Sequence, residues 1–321
     1  MKKLLYLFTL LTFLTFTFAC SGTQDKRIRD FDSTALTVAL LPTMECLPFY
    51  VAQESGIYDS LGLQVNLVTY EAAMDADTAF TDTVADGCVS DLIKACLWRS
   101  LGDSVCVVMT ASTDLHLVTT RQARIRTAQS LKEKIIAITR HSALDYTADQ
   151  ILSSANLQSE ELNKPQINNI ALRMSMTDQN QYDGALLPEP YASMSVANGA
   201  TRVISSSQLS NSNPLMALIF RETTVLQRSD EIRMLVEGYT IAAQRINRQL
   251  SDDPQPLLHM LPVRTAIPDS AVNILLENAR QPYYAVTAPP SDSLLTAIKS
   301  WLRTRDLFGK DFPDSLLIVS F

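Results

Sequence analysis

The distribution of apolar positions predicts strands and helices in alternation from residue 36 onward. Residues 36–41 are a short β-prone run ended by Pro42. Residues 47–54 carry helical periodicity, with Gly56 placed where a helix would stop. Residues 63–70 alternate Val and Leu with polar side chains, the pattern of a half-buried strand. A helix over 72–85, a strand over 87–90, a helix over 91–98 and a strand over 105–109 follow. Such alternation predicts a mostly parallel sheet with helices on both faces.

The pattern then begins again. Residues 117–119 read as a short strand leaving the first lobe, 130–134 as a turn of helix, and 135–139 as a strand. A helix over 142–155, a strand over 166–172 and a helix over 175–181 come next. Residues 184–187 form a buried strand stopped by Pro188, 191–198 a helix, and 201–205 the last strand of this set. Residues 214–220 are apolar again, and 224–248 predict one long amphipathic helix. Prolines divide what remains into short helical segments. The expected architecture is α/β, two three-layer lobes. Lobe one would take 36–120 and 214–321, lobe two 121–213, with hinges near residues 120 and 213. No internal repeat or low-complexity tract is visible.

The N-terminal segment has a different character. Lys2 and Lys3 precede an apolar, threonine-rich run over 4–18, which closes on Ala19-Cys20. A run of about 15 residues is short for a transmembrane helix and suits a signal peptide. The expectation is a leader over 1–19, lipid attachment at Cys20, and a polar tether over 20–35 that holds the protein at the cell envelope. Thr17 stands where such leaders usually carry Leu.

Charge and cysteine content narrow the function classes. Without the leader, 25 basic residues face 34 acidic ones, a net charge of −9. No Lys/Arg-rich block or aromatic–basic stripe occurs, which argues against nucleic acid as a partner. Cys46, Cys88, Cys96 and Cys106 form no CxxC pair, and His116, His141 and His259 are dispersed, so neither a metal site nor a cofactor is expected. In an oxidising envelope two of the four thiols could pair; burial as free thiols is the alternative.

The stretches LLPTMECLPFYVAQESGIYDSLGLQVNLV, IAITRHSALDYTADQIL and LLPEPYAS resemble the periplasmic binding proteins of ABC importers. Within these, the chain is similar to the nitrate/sulfonate/taurine and thiamine-pyrimidine-precursor group of the type II fold. The resemblance covers essentially the whole chain after the leader. It implies two α/β lobes joined by two crossing strands, a ligand in the cleft, closure on binding and delivery to a membrane permease. Two departures stand out. Sulfonate-binding members often carry a Gly/Ser-rich turn where this chain has Thr139-Arg140-His141-Ser142. The cysteine cluster of the yeast pyrimidine-synthesising relatives is absent, which weakens an enzymatic reading.

In open α/β sheets, ligands collect beyond the carboxyl ends of strands, where helix N-termini point free N–H groups. Thr43 and the amides near Met44 occupy that place after the first strand, although Thr43 would equally cap the next helix. Asp91 follows the strand over 87–90. It is either a helix cap or a cleft carboxylate suited to a ligand with N–H donors. His141 and Ser142 stand at a helix start in the second lobe, and Tyr146 lies one turn on. Pro188 and Pro190 fix the backbone around Glu189, either a cleft residue or an ordinary helix-start carboxylate.

The candidate ligand-binding set is therefore Thr43, Met44, Asp91, His141, Ser142 and Glu189. No Gly-x-Ser-x-Gly elbow, P-loop or GxGxxG is present, so catalysis is not expected. The chain reads as a monomeric, lipid-anchored solute-binding protein. Its partners would be a small polar ligand, a pyrimidine precursor of thiamine or a sulfonate, and an ABC permease. An envelope enzyme on the same fold and a ligand sensor are the alternatives.

Overall fold

Strands whose side chains are apolar on both faces require helices on both sides, and the chain meets that requirement twice. The computed structural model describes residues 34–209, 215–250, 252–263, 267–278 and 289–319. The predicted leader, Cys20 and most of the tether lie outside the described residues. The strands are β1 (Leu36–Leu40), β2 (Val65–Thr69), β3 (Gly87–Asp91), β4 (Val105–Ala111), β5 (Leu115–Thr119), β6 (Ile136–Ala137), β7 (Gly184–Pro188), β8 (Thr201–Ser205) and β9 (Met216–Arg221). The helices are α1 (Leu47–Glu54), α2 (Ile57–Leu61), α3 (Ala73–Thr81), α4 (Leu92–Leu101), α5 (Ala143–Ser154), α6 (Ile170–Asp178), α7 (Tyr191–Ala197), α8 (Glu222–Gln227), α9 (Ser229–Gln249), α10 (Gln255–Leu258), α11 (Asp269–Asn278) and α12 (Asp292–Thr304).

The first sheet has the order β2-β1-β3-β9-β4 and the second β6-β7-β5-β8; both lie in one unit, Ala35–Phe321. In the first, β1 runs parallel to β2 and β3, while β9 is antiparallel to β3 and β4. In the second, β6 and β7 are parallel and β5 is antiparallel to β7 and β8. The two antiparallel strands are the ones that follow each passage between sheets. A strand arriving from the other half enters at the edge where the parallel strands end, so it runs back against them.

Those passages are residues 112–114 and the segment between Gln208 and Leu215. Leu115–Thr119, grouped from sequence with the first lobe, is thus an inner strand of the second sheet. Another expectation fails at 166–172. Within that stretch Gln166 makes an isolated bridge to Ile138 and Asn169 one to Ala72, and the helix α6 begins at Ile170 with Asn169 as its cap. The helix expected over 224–248 is two, α8 and α9, divided at Arg228.

Each sheet is covered on both faces. Leu36, Val38 and Leu40 of β1 pack with Met216, Leu218 and Phe220 of β9 on one side, and Ala39 packs with Ala217 and Ile219 on the other. In the second sheet Leu117 and Leu186 face one core, Val118, Ala185 and Leu187 the opposite one. This is the three-layer arrangement expected from the pattern, in both halves. Close packing also fixes small residues: a Cβ on Gly87 would meet the Phe220 ring at 2.5 Å. Cys46, Cys88, Cys96 and Cys106 are all buried free thiols, packed as small hydrophobes.

Candidate functional site

Because the parallel strands of both sheets end at the same place, the loops that follow them face one another. They enclose a cavity of about 70 Å³. Leu41, Thr43 and Glu45 come from the loop after β1, and Ser90 and Asp91 from the end of β3. Thr113 belongs to the first passage between sheets, Leu115 to the start of β5 and Met216 to the start of β9. The second half supplies Thr139, Ser142, Ala143 and Leu144 after β6, Ile170 and Arg173 from α6, and Pro188 at the end of β7.

Hydrogen bonds draw the two halves together around this cavity. Asp91 caps α4 by accepting from the Lys94 N–H at 2.9 Å, and its other oxygen accepts from the Ala143 N–H of α5 at 3.0 Å. One carboxylate thereby serves two helix N-termini, one from each half, each of which favours a negative charge. The Met44 N–H donates to the Glu189 carbonyl at 2.9 Å, and the Ile170 N–H to the Glu71 carbonyl at 3.2 Å. Asn169 Nδ2 donates to Glu71 Oε2, also at 3.2 Å.

Burial sets the protonation of the lining acids. It pushes Asp91 up to about 6, against the lowering effect of the Ala143 and Lys94 amides. Glu45 lines the cavity and is partly buried. Burial pushes it up to about 7, nearby Glu189 adding to the rise while hydrogen bonding, including from the Thr43 and Thr113 side chains, opposes it. Both hydroxyls are buried, and neither completes a hydrogen bond of good geometry. Arg173 is 1% exposed; burial lowers it to about 10, so it remains charged at neutral pH. Its Nε donates to the Leu186 carbonyl at 3.0 Å, and its Nη1 to Thr139 Oγ1 at 3.1 Å and the Ile167 carbonyl at 2.5 Å.

Of the residues singled out from sequence, Thr43, Asp91 and Ser142 line the cavity. Ser142 also caps α5 through the Leu144 N–H at 3.2 Å. Met44 does not line it; its side chain lies in the core of the first half. His141 is exposed in a left-handed turn (φ 55°), its N–H on Asp145, and its ring lies outside the lining. Glu189 is committed within its own half. It accepts from Arg202 at 2.7 Å, from Ser193 Oγ at 2.9 Å and from the Ser193 N–H at 3.0 Å, and pairs with buried His116 at 3.3 Å. Tyr146 packs edge-on against Trp301, ring centres 5.6 Å apart.

Glu45, Thr113 and Arg173 are the lining residues that the sequence reading passed over. Glu45 shares a loop with Thr43, so proximity in the chain was the signal. For Arg173, the signal was Asn169 ahead of Ile170-Ala171-Leu172, a helix-start pattern that puts Arg173 one turn into α6.

The two-sheet α/β architecture is the periplasmic binding protein fold. It recurs in the alkanesulfonate-binding protein of Xanthomonas axonopodis pv. citri bound to MOPS, at 13% identity and a TM-score of 0.73, over 91% of this chain and 100% of that one. The periplasmic nitrate-binding protein of Synechocystis PCC 6803 shares it at 12% identity and a TM-score of 0.67, over 89% and 91% of the two chains. A desulfurization enzyme also carries it, at 15% identity and a TM-score of 0.61, over 88% and 96%. Residues 30–254 match the model of the NMT1-like family, and the chain belongs to that family. No curated protein sequence matches the chain. Among the described residues no helix is long and apolar enough to cross a membrane.

Proposed function

We propose that this chain is the solute-binding component of an ABC importer, facing the periplasm and held at the membrane by a lipid on Cys20. The observation that carries the reading is the cavity itself. It forms where the carboxyl ends of both sheets meet, it is lined from both halves, and it holds two buried hydroxyls, Thr43 and Thr113, that lie near Glu45 but complete no hydrogen bond of good geometry. Buried polar groups are normally satisfied, so orphans facing a cavity mark the place of a polar ligand. The Glu45 and Asp91 carboxyls favour a small solute bearing N–H donors.

Residues 112–114 would serve as a hinge in place of the position near 120, and the hinge expected near 213 lies outside the described residues. The contacts of Asp91 with Ala143 and of Met44 with Glu189 are then the bonds that closure makes. Hydrolysis or transfer chemistry finds little support. Among the described residues the lining contains no histidine or cysteine, and the Ser142 hydroxyl donates to the Thr139 carbonyl at 2.7 Å, not to a base.

The test is a thermal-shift panel on refolded protein beginning at Ser21, with pyrimidine precursors of thiamine, sulfonates, nitrate and amino acids as its arms. A solute that binds only the folded state raises the melting temperature. The expected result is a shift with one chemical class, the solute being recovered intact. A solute consumed over time would establish an enzyme instead, and no shift with any arm would count against solute binding.

A further inference from the structure

The far end of the second sheet holds a group of charges that the cavity does not use. Strand β5 begins at the cavity with Leu115 and ends at Thr119, about 13 Å further along. The loop that follows carries Arg121, Arg124 and Arg126, three arginines in six residues, a run too short to stand out as a basic block in the sequence. Folding fixes this loop in place. Ala123 and Ile125 are buried in the core of the second half. The Ala123 N–H donates to Thr120 Oγ1 at 3.2 Å, and the Thr120 N–H to the Asp183 carbonyl at 2.9 Å. Arg124 takes a left-handed conformation (φ 54°) that residues other than glycine seldom adopt. With its apolar residues inside, the loop leaves all three arginines exposed.

Arg121, Arg124 and Arg126 line an open groove of about 600 Å³, with Thr120, Ile125 and Thr201. Among the described residues none of the three guanidinium groups has an ion pair or a hydrogen bond. Elsewhere Arg99, Arg228, Arg233, Arg303 and Arg305 each reach a carboxylate. A smaller cavity of about 200 Å³ shares Thr120 and Arg121 with the groove, and its acid, Asp178, accepts from Ser195 and Asn198. Three like charges side by side repel one another, and a chain with 34 acidic residues against 27 basic ones has carboxylates enough to neutralise them. That it sets none among them leaves a concave, positively charged surface fitted to an anion from outside. No aromatic side chain lines the groove, so there is no platform for a nucleobase.

We propose that this groove is a second binding site, separate from the solute cavity, for a compact polyanion bearing phosphate-type groups. The guanidinium fork matches the oxygens of such a group two at a time, and the Thr120 and Thr201 hydroxyls supply further donors. A single phosphate leaves part of the positive charge unmatched, whereas linked or clustered phosphates engage all three arginines. A soluble polyphosphate and a cluster of anionic lipid headgroups present that same chemistry. Because the groove lies at the opposite end of β5 from the cavity, its occupant leaves the cavity open.

Two measurements on the purified protein test it. Calorimetric titration with tripolyphosphate and with orthophosphate reads the soluble source. Co-sedimentation with phosphatidylglycerol vesicles, against phosphatidylcholine vesicles, reads the lipid source. In the first, tripolyphosphate is expected to bind near one per chain and about tenfold or more tightly than orthophosphate, and less tightly as salt is raised. In the second, retention on phosphatidylglycerol alone would assign the polyanion to a lipid surface. Combining Arg121→Gln, Arg124→Gln and Arg126→Gln should weaken whichever binding is found by about tenfold or more, and Arg126→Gln alone should weaken it by less. Combining Arg245→Gln and Arg248→Gln removes charge from the exposed face of α9 and should change binding by less than about twofold. Equal losses in the two combined variants would mean that net charge alone attracts the anion, and would overturn the proposal. So would binding undiminished without the three loop arginines, or no binding of tripolyphosphate and no retention on either vesicle.

Discussion

At the scale of single residues, the lining carboxyls make the protein's stability respond to pH in an unusual direction. Glu45 and Asp91 ionise in the folded state near 7 and 6, above their ordinary values of 4.5 and 3.8. The native protein therefore holds protons that the unfolded chain releases. Their stabilisation is complete below about pH 4 and is lost as the pH rises through 6 and 7. Glu45→Gln cannot ionise, so without ligand it should gain on wild type across that window. The expected gain is on the order of 1–3 kcal/mol between pH 5 and pH 8 by denaturant titration. A difference that stays flat with pH would refute the burial of Glu45 as described. Thr43, Asp91 and Ser142 were legible because each stands at a strand–helix junction. His141 and Glu189 stand at such junctions too, yet a left-handed turn carries one ring outward and an Arg202–His116 cluster claims the other's carboxylate. The Glu189 cluster depends on partners 13 and 73 positions away along the chain, which local pattern does not contain.

At the scale of elements, α9 shows packing prevailing over propensity. Gly238 lies in this 21-residue helix where it crosses α2, and a Cβ added there would run into the Tyr58 ring. Alanine favours a helix over glycine by about 1 kcal/mol, but overpacking costs roughly 1–3 kcal/mol. Gly238→Ala should therefore lower the melting temperature, and a rise would show that α2 gives way freely. Most strands and helices were legible because apolar periodicity is strong where both faces of a strand are buried. The start of α6 was not. Ile167, Ile170 and Leu172 read equally well as a strand until Asn169 is recognised as the cap, its side chain accepting from the Leu172 N–H at 2.8 Å. The antiparallel course of β5 and β9 was also hidden, since strand direction follows from where the chain changes sheets.

At the scale of the whole molecule, a second set of bonds joins the halves away from the cavity. The helix α12 packs on α4 in the first half. Trp301 Nε1 donates to Asp149 at 2.8 Å, and Arg305 donates to Asp145 at 2.9 Å and to Ser159 at 3.0 Å, all three acceptors in the second half. Lys164 binds the same two carboxylates at 2.8 Å each from within that half. If the halves separate on release of solute, neither acid is left unpaired. Arg305→Gln should weaken ligand binding about tenfold, through faster release, with little change in the melting temperature of the ligand-free protein. Equal losses in both would mean that Arg305 serves the fold alone.

The most direct test of solute binding is equilibrium dialysis of the refolded protein against a small-molecule extract of its source cell, read by mass spectrometry. The structure leads to one expectation: a single small solute concentrated on the protein side, near one per chain, and chemically unchanged when released. A solute that disappears while a product accumulates, or an extract left evenly distributed across the membrane, would contradict it.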